Sequence, residues 1–127
     1  MIVNAQVEAS LIIISYLKKH TYPVSLRMIS EGTGLSYRFV VKVAFVLKKH
    51  GILVATQGRQ GGYQLAPGWF KTNLHELIGL FSKKGFWVRC EDKDYVCPYQ
   101  DVCDHQAFFT RYLSNLTQQV TLGQILK

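Results

Sequence analysis

Cys90, Cys97 and Cys103 fall within 14 residues in the pattern C-x6-C-x5-C, interrupted by Pro98. Three soft thiolates on one short irregular loop can reach a single metal centre. The spacing is neither the C-x2-C pair of common zinc knuckles nor the tight C-x2-C-x2-C of bacterial ferredoxins; wider gaps let a loop wrap a cluster. A fourth ligand would complete the tetrahedral sites of a [2Fe-2S] or [4Fe-4S] unit, and His105, two residues after Cys103, is the nearest imidazole. Glu91, Asp92, Asp94, Gln100, Asp101 and Asp104 crowd the same stretch, a poor composition for a dry core in which free cysteines serve as small hydrophobes. So many carboxylates also disfavour thiolates unless a cation offsets their charge. An iron-sulfur cluster fits best; zinc, or thiol redox chemistry without metal, is the alternative.

The rest of the chain must position that loop. Its 127 residues suffice for one core but not for separate reading and sensing domains. The formal charge of +7 points to a polyanionic partner, and its distribution is uneven. No Asp or Glu occurs from Gly32 to His75, a window holding Arg38, Lys42, Lys48, Lys49, Arg59 and Lys71, whereas five of the eight acids surround the cysteines. No stretch is apolar for long enough to span a bilayer, and the start lacks the pattern of a signal peptide. A cytoplasmic location is expected; thiols stay reduced there, so an odd set of three cysteines is not a disulfide framework.

Residues 3–20 read as a helix that is apolar all round at Leu11, Ile12, Ile13 and Ile14, so more than one of its faces must be covered. Ser25 caps a short second helix that stops at Gly32-Thr33-Gly34, and Ser36 caps a third whose buried side is Phe39, Val43, Val46 and Leu47. Arg38 and Lys42 share a different face of the third helix. Two helices joined by a Gly-containing turn, the second basic near its start, form the helix-turn-helix pattern, which puts the second helix in the major groove. An ordinary helical hairpin is the plainer alternative for this segment alone.

Two strand-like runs, residues 52–56 and 63–66, then flank Gln57-Gly58-Arg59-Gln60-Gly61-Gly62. This is a hairpin with a flexible, Gly-rich tip, where main-chain N–H groups approach phosphates and Arg59 reaches the minor groove or the sugar-phosphate backbone. Placed directly after a recognition helix, it is a wing. Ser36, Tyr37, Arg38 and Lys42 are the expected major-groove residues, with Gln57, Gly58, Arg59 and Gln60 on the wing; Lys48 and Lys49 sit late in the helix and suit phosphate. After Pro67, Asn73 and Glu76 open a fourth helix with Leu74, Leu77, Ile78 and Phe81 inward and Gly85 as its stop.

The helix-turn-helix of residues 24–66, the Lys48-Lys49-His50-Gly51 helix end, the Gly-Gly-Tyr-x-Leu wing, Asn73-Leu74-His75-Glu76-Leu77, the cysteine triplet and Thr121-Leu122-Gly123-Gln124-Ile125-Leu126 together resemble the IscR/NsrR/RirA family. These are winged-helix transcriptional regulators, many with iron-sulfur clusters, and the likeness covers nearly the whole chain. The resemblance implies a cluster on Cys90, Cys97 and Cys103. In IscR-like relatives the fourth ligand is a His whose matching position here is Gln106, next to His105. In NsrR-like relatives it is an acidic residue of the first helix supplied by the partner subunit, matching Glu8, which is therefore ranked ahead of His105. The chain departs from the family in having Gln57 before the first wing glycine and Val41 where some relatives carry an acidic residue that tunes base preference, so the operator is its own.

Residues 105–120 read as a last long helix with Phe108, Phe109, Tyr112, Leu113, Leu116 and Val120 on one stripe, too apolar to leave in water. Pairing it with the first helix across a twofold axis would cover both and present two recognition helices to a near-palindromic operator, with half-sites about one helical turn or a multiple apart. The expected fold is mainly α with a small β-hairpin: a single unit of residues 1–127, comprising a winged helix-turn-helix (1–85), the cysteine loop (86–104) and a dimerisation helix with tail (105–127). The expected activity is operator binding controlled by an iron-sulfur cluster that senses iron, cluster status, nitric oxide or redox state. The alternative is a metal-free or zinc-bound regulator governed by thiol oxidation or a partner protein. Catalysis is not expected, since there is no phosphate-binding loop or nucleophile motif, and His20, His50, His75 and His105 are scattered.

Overall fold

The computed structural model describes residues 4–82, 94–96, 98–99, 101–102 and 108–126. In chain order these form α1 (Ala5–Lys18), α2 (Leu26–Thr33), α3 (Tyr37–Lys49), β1 (Leu53–Thr56), β2 (Gly62–Leu65), a 3-10 turn (Trp69–Lys71) and α4 (Leu74–Phe81). A π-helical turn (Phe108–Leu113) then runs into α5 (Ser114–Gln119), followed by the short α6 (Leu122–Ile125). The mainly α architecture with one antiparallel hairpin is the expected one.

Helix starts are set by side chains that accept an otherwise orphan backbone N–H. Ser25 accepts from Met28, Ser36 from Phe39 and Asn73 from Glu76, as their spacing predicts. Asn4 and Thr121 do the same for Val7 and Gln124, and Thr121 with Gln124 forms a full capping box. Asn4 starts α1 two residues later than the sequence pattern suggests, and its Nδ2 donates to the Phe81 carbonyl at 3.1 Å, tying the start of α1 to the end of α4. His20 and His50 each place Nδ1 on the carbonyl four residues back, at 2.8 and 3.0 Å, where a donor or cation suits a helix C-terminus. The fourth helix stops at Phe81, with Ser82 extended, rather than at Gly85, which lies outside the described residues.

One cluster gathers Ile13, Ile14 and Leu17 of α1, Ile29 of α2, Val40, Val43, Ala44 and Leu47 of α3, Leu53 of β1, Leu77 of α4 and Leu122 of α6. The helix that is apolar all round is thus covered from several sides, by α2, α3, β2 and α4, although Ile12 stays 43% exposed. The buried face of α3 is Val40, Val43, Ala44 and Leu47; Phe39 and Val46, expected inward, are only half-buried because the 3.6-residue period centres on the other set.

The tail belongs to this core. Leu122 is fully buried, its N–H donates to Thr72 O at 2.8 Å, and Leu74 N donates to Val120 O at 2.8 Å beside an Asn73–Thr121 bridge. Lys18 Nζ also donates to the Leu126 carbonyl. Leu122→Ala is expected to destabilise the chain by about 2–5 kcal/mol, the range for emptying a packed leucine site; a urea-melt loss below about 1 kcal/mol would place the tail outside the cooperative unit.

Candidate nucleic-acid interface and metal centre

The turn between α2 and α3 is closed by local polar groups. Gly34 takes the left-handed conformation at φ 82° and its N–H caps α2 on Ser30 O at 2.9 Å. Ser30 Oγ donates to Leu35 O at 2.6 Å, and Leu35 N donates to Thr33 Oγ1 at 3.3 Å. These bonds fix the angle at which α3 leaves α2. With Val40, Val43, Ala44 and Leu47 buried, α3 turns Tyr37, Arg38, Val41, Lys42, Phe45, Lys48 and Lys49 outward.

Ser36 is exposed, but its hydroxyl accepts the Phe39 N–H at 3.3 Å, so its direct task is to start the helix. The Tyr37 ring lies under the Arg27 guanidinium, 5.6 Å from ring centroid to Cζ, a cation–π contact between the first turns of the two helices. Sequence reasoning missed Arg27, because nothing in helical periodicity links residues on separate helices. Arg38 and Lys42 are exposed one turn apart, as their spacing predicts.

The wing pairs Leu53 with Leu65, Val54 with Gln64, Ala55 with Tyr63 and Thr56 with Gly62. Its base is fixed to the chain just before α2: Val24 and Tyr63 exchange backbone hydrogen bonds of 3.0 and 2.7 Å. Its tip is a tight turn rather than a slack loop, since Gly61 N donates to Gly58 O at 3.0 Å, leaving Arg59 and Gln60 as the two central, exposed residues. Gly61 and Gly62 are required by close approach. A Cβ on Gly61 would lie 2.1 Å from Thr56 O, and one on Gly62 would lie 2.5 Å from the Val24 carbonyl. Gln57 and Gly58 are exposed beside them. A cleft of about 450 Å³ joins the turn to the start of α2, bringing Arg59 and Gln60 together with Tyr22, Ser25 and Met28.

Cys90, Cys97, Cys103 and His105 lie outside the described residues, and among the described residues no group of three His, Cys, Asp or Glu could hold a metal. Of their described neighbours, Tyr95 is half-buried and Asp94, Val96, Pro98, Tyr99, Asp101 and Val102 are exposed, Val96 and Val102 at 83%. Glu8 sits in the first turn of α1 and is exposed. Of the apolar stripe expected on the last helix, Tyr112 and Leu116 are 62% and 56% exposed, while Leu113 and Val120 are half-buried. Thr117 is buried, and its hydroxyl accompanies His75 Nδ1 at 3.2 Å, joining α5 to α4.

Residues 3–127 match the sequence profile of Rrf2, the iron-dependent transcriptional regulators. The chain is 31% identical over 81 residues to protein rrf2 of Nitratidesulfovibrio vulgaris Hildenborough, covering 64% of this chain and 54% of that protein. It is 28% identical over 113 residues to the HTH-type transcriptional regulator IscR of Klebsiella pneumoniae, covering 87% of this chain and 69% of IscR. The chain thus spans about half to two thirds of the length of these relatives. In fold it is similar to CymR, the global cysteine regulator of B. subtilis, with a TM-score of 0.77 at 18% identity over 99% of this chain and 96% of CymR. The family and its IscR members are transcriptional regulators, not enzymes. No helix among the described residues is long and apolar enough to cross a membrane. A helix-turn-helix with a basic outward face, braced by a hairpin wing, is what such a regulator requires, and the chain belongs to the Rrf2 family.

Proposed function

We propose that this regulator binds a near-palindromic operator as a homodimer, and that its affinity is set by an iron-sulfur cluster held by Cys90, Cys97 and Cys103, with Glu8 of the partner subunit as fourth ligand and His105 as the alternative. The DNA half rests on one observation: α3 carries Arg38 and Lys42 outward within a stretch free of acids from Gly32 to His75. Counterion release makes such a face a binding surface for duplex phosphates, and base edges are then read by the side chains that enter the groove. Exposed Tyr112 and Leu116 supply apolar area that a second protomer would cover.

The donor set fits a cluster chemically: three soft thiolates with one harder oxygen or nitrogen donor. Solvent-facing neighbours around Cys97 and Cys103 accord with a loop built to hold a group rather than to fill a core. When bound, a cluster supplies a redox-active centre with one ligand more labile than thiolate. Glu8 stands on the helix whose Ile13, Ile14 and Leu17 share a core with Val40, Val43 and Leu47 of the recognition helix. Any shift of α1 is therefore felt by α3 through close-packed side chains. Isolation under argon, with iron and acid-labile sulfide assayed beside a visible spectrum, tests the cluster half. A brown protein is expected; a colourless one with zinc or no metal would favour control by thiol oxidation.

Arg59→Ala should weaken operator binding by about 5–50-fold and lower the magnitude of the salt dependence by about one counterion per protomer, with cluster absorbance unchanged. Equal affinity across a salt series would remove the wing from the interface.

A further inference from the structure

Phe45 is the anomaly on the recognition helix. It is 64% exposed, the largest such fraction of any large apolar residue in the helices α1 to α4, and Val41 one turn earlier is 37% exposed. At about 100° per residue, Phe45 points within roughly 30° of the direction opposite the buried set Val40, Val43, Ala44 and Leu47. It shares that outward pole with Arg38, Lys42 and Lys49, all exposed. A phenyl ring at the centre of a basic strip is not there for the core, and the surrounding cations repel a second copy of the same face while suiting a polyanion.

On the reading that α3 enters the major groove, on which this step rests, Phe45 at the outward pole faces the groove floor, where base edges rather than charged, hydrated phosphates suit an apolar ring. A phenyl ring neither donates nor accepts hydrogen bonds, and the one apolar group displayed in that groove is the 5-methyl of thymine. We infer that Phe45, flanked by Val41, is a specificity residue that reads a thymine methyl in each half-site. Arg38 lies seven residues earlier, about 10 Å along the axis, so the thymine falls within about three base-pair steps of the base that Arg38 meets. Val41 widens the apolar patch at the position where a charged side chain would have sought a hydrogen-bonding edge.

The test starts from duplexes enriched out of a random library by the full chain, both as isolated under argon and after cluster removal. Each thymine of an enriched duplex is then replaced singly by deoxyuridine, which deletes the methyl and keeps base pairing. At one thymine per half-site the wild-type chain should lose about three- to fivefold in affinity, the worth of one buried methyl. Phe45→Ala should bind the thymine duplex with a similar loss and be indifferent to deoxyuridine at that position. Its melting temperature should match wild type, because the side chain is exposed. If duplexes are enriched but every deoxyuridine substitution leaves wild-type affinity within twofold, or if Phe45→Ala keeps the full deoxyuridine effect, the inference is overturned while operator binding stands. If neither form of the protein enriches any duplex, the DNA-binding reading itself fails and takes this one with it.

Discussion

Cys97→Ala should strip the argon-isolated protein of iron and acid-labile sulfide, leaving less than about a tenth of the wild-type content, while the winged helix stays folded. A cluster held by three thiolates and one weaker donor has no spare soft ligand, so removing one leaves a site that binds iron poorly. The fold should not suffer, because the described residues on either side of Cys97, Val96 and Pro98, are exposed and contribute nothing to the central core. Melting of the cluster-free forms should therefore agree within about 2 °C, a difference of a few tenths of a kcal/mol. Glu8→Ala gives the graded counterpart: iron is retained but lost faster on exposure to air, or the spectrum shifts. A full complement of iron in Cys97→Ala would show that the thiol loop is not the site.

The second large effect is expected from the wing and should leave the proposed cluster alone. Gly61→Ala should cut operator affinity by more than about tenfold with iron content unchanged. The added Cβ would sit 2.1 Å from Thr56 O and 2.8 Å from the Gln57 carbonyl carbon, both backbone atoms that cannot rotate aside. The turn that sets Arg59 and Gln60 at its two central positions would have to open, breaking the Gly61 N to Gly58 O bond. In the proposed dimer, two flexible wings then carry an ordering cost on binding that the closed turn avoids. Affinity within twofold of wild type would mean that the tip need not hold this shape on DNA.

Much of this architecture is legible in the residues themselves. Ser25, Ser36 and Asn73 announce helix starts because a short polar side chain before an apolar-periodic run has few other uses. The hairpin is equally plain, with glycines between two strand-like runs. What escaped was long-range. Asn4 caps α1 and also reaches Phe81, and Leu122 fills the central core through a bridge between Asn73 and Thr121. Such contacts join segments far apart in sequence and leave no period to read. On α3, Val43 and Leu47 lie inward as expected, but Val40 and Ala44 are fully buried where Phe39 and Val46 are only half-buried, since hydropathy alone does not choose between adjacent stripes. Phe45 carries no signal of its own in the sequence, because an apolar residue on a helix shows its outward position only once its neighbours are placed. At the proposed metal centre, composition and spacing around Cys90, Cys97 and Cys103 carry the reading, and Glu8 is an exposed carboxylate on the first turn of α1.

The most direct measurement is the affinity of one enriched duplex for the argon-isolated protein and for the same preparation after its iron has been removed by chelation, both verified as folded by circular dichroism. Control of DNA binding by a shared cluster predicts dissociation constants at least about tenfold apart, equivalent to about 1.4 kcal/mol. Identical constants within twofold, from a preparation shown to contain iron and sulfide beforehand, would contradict it.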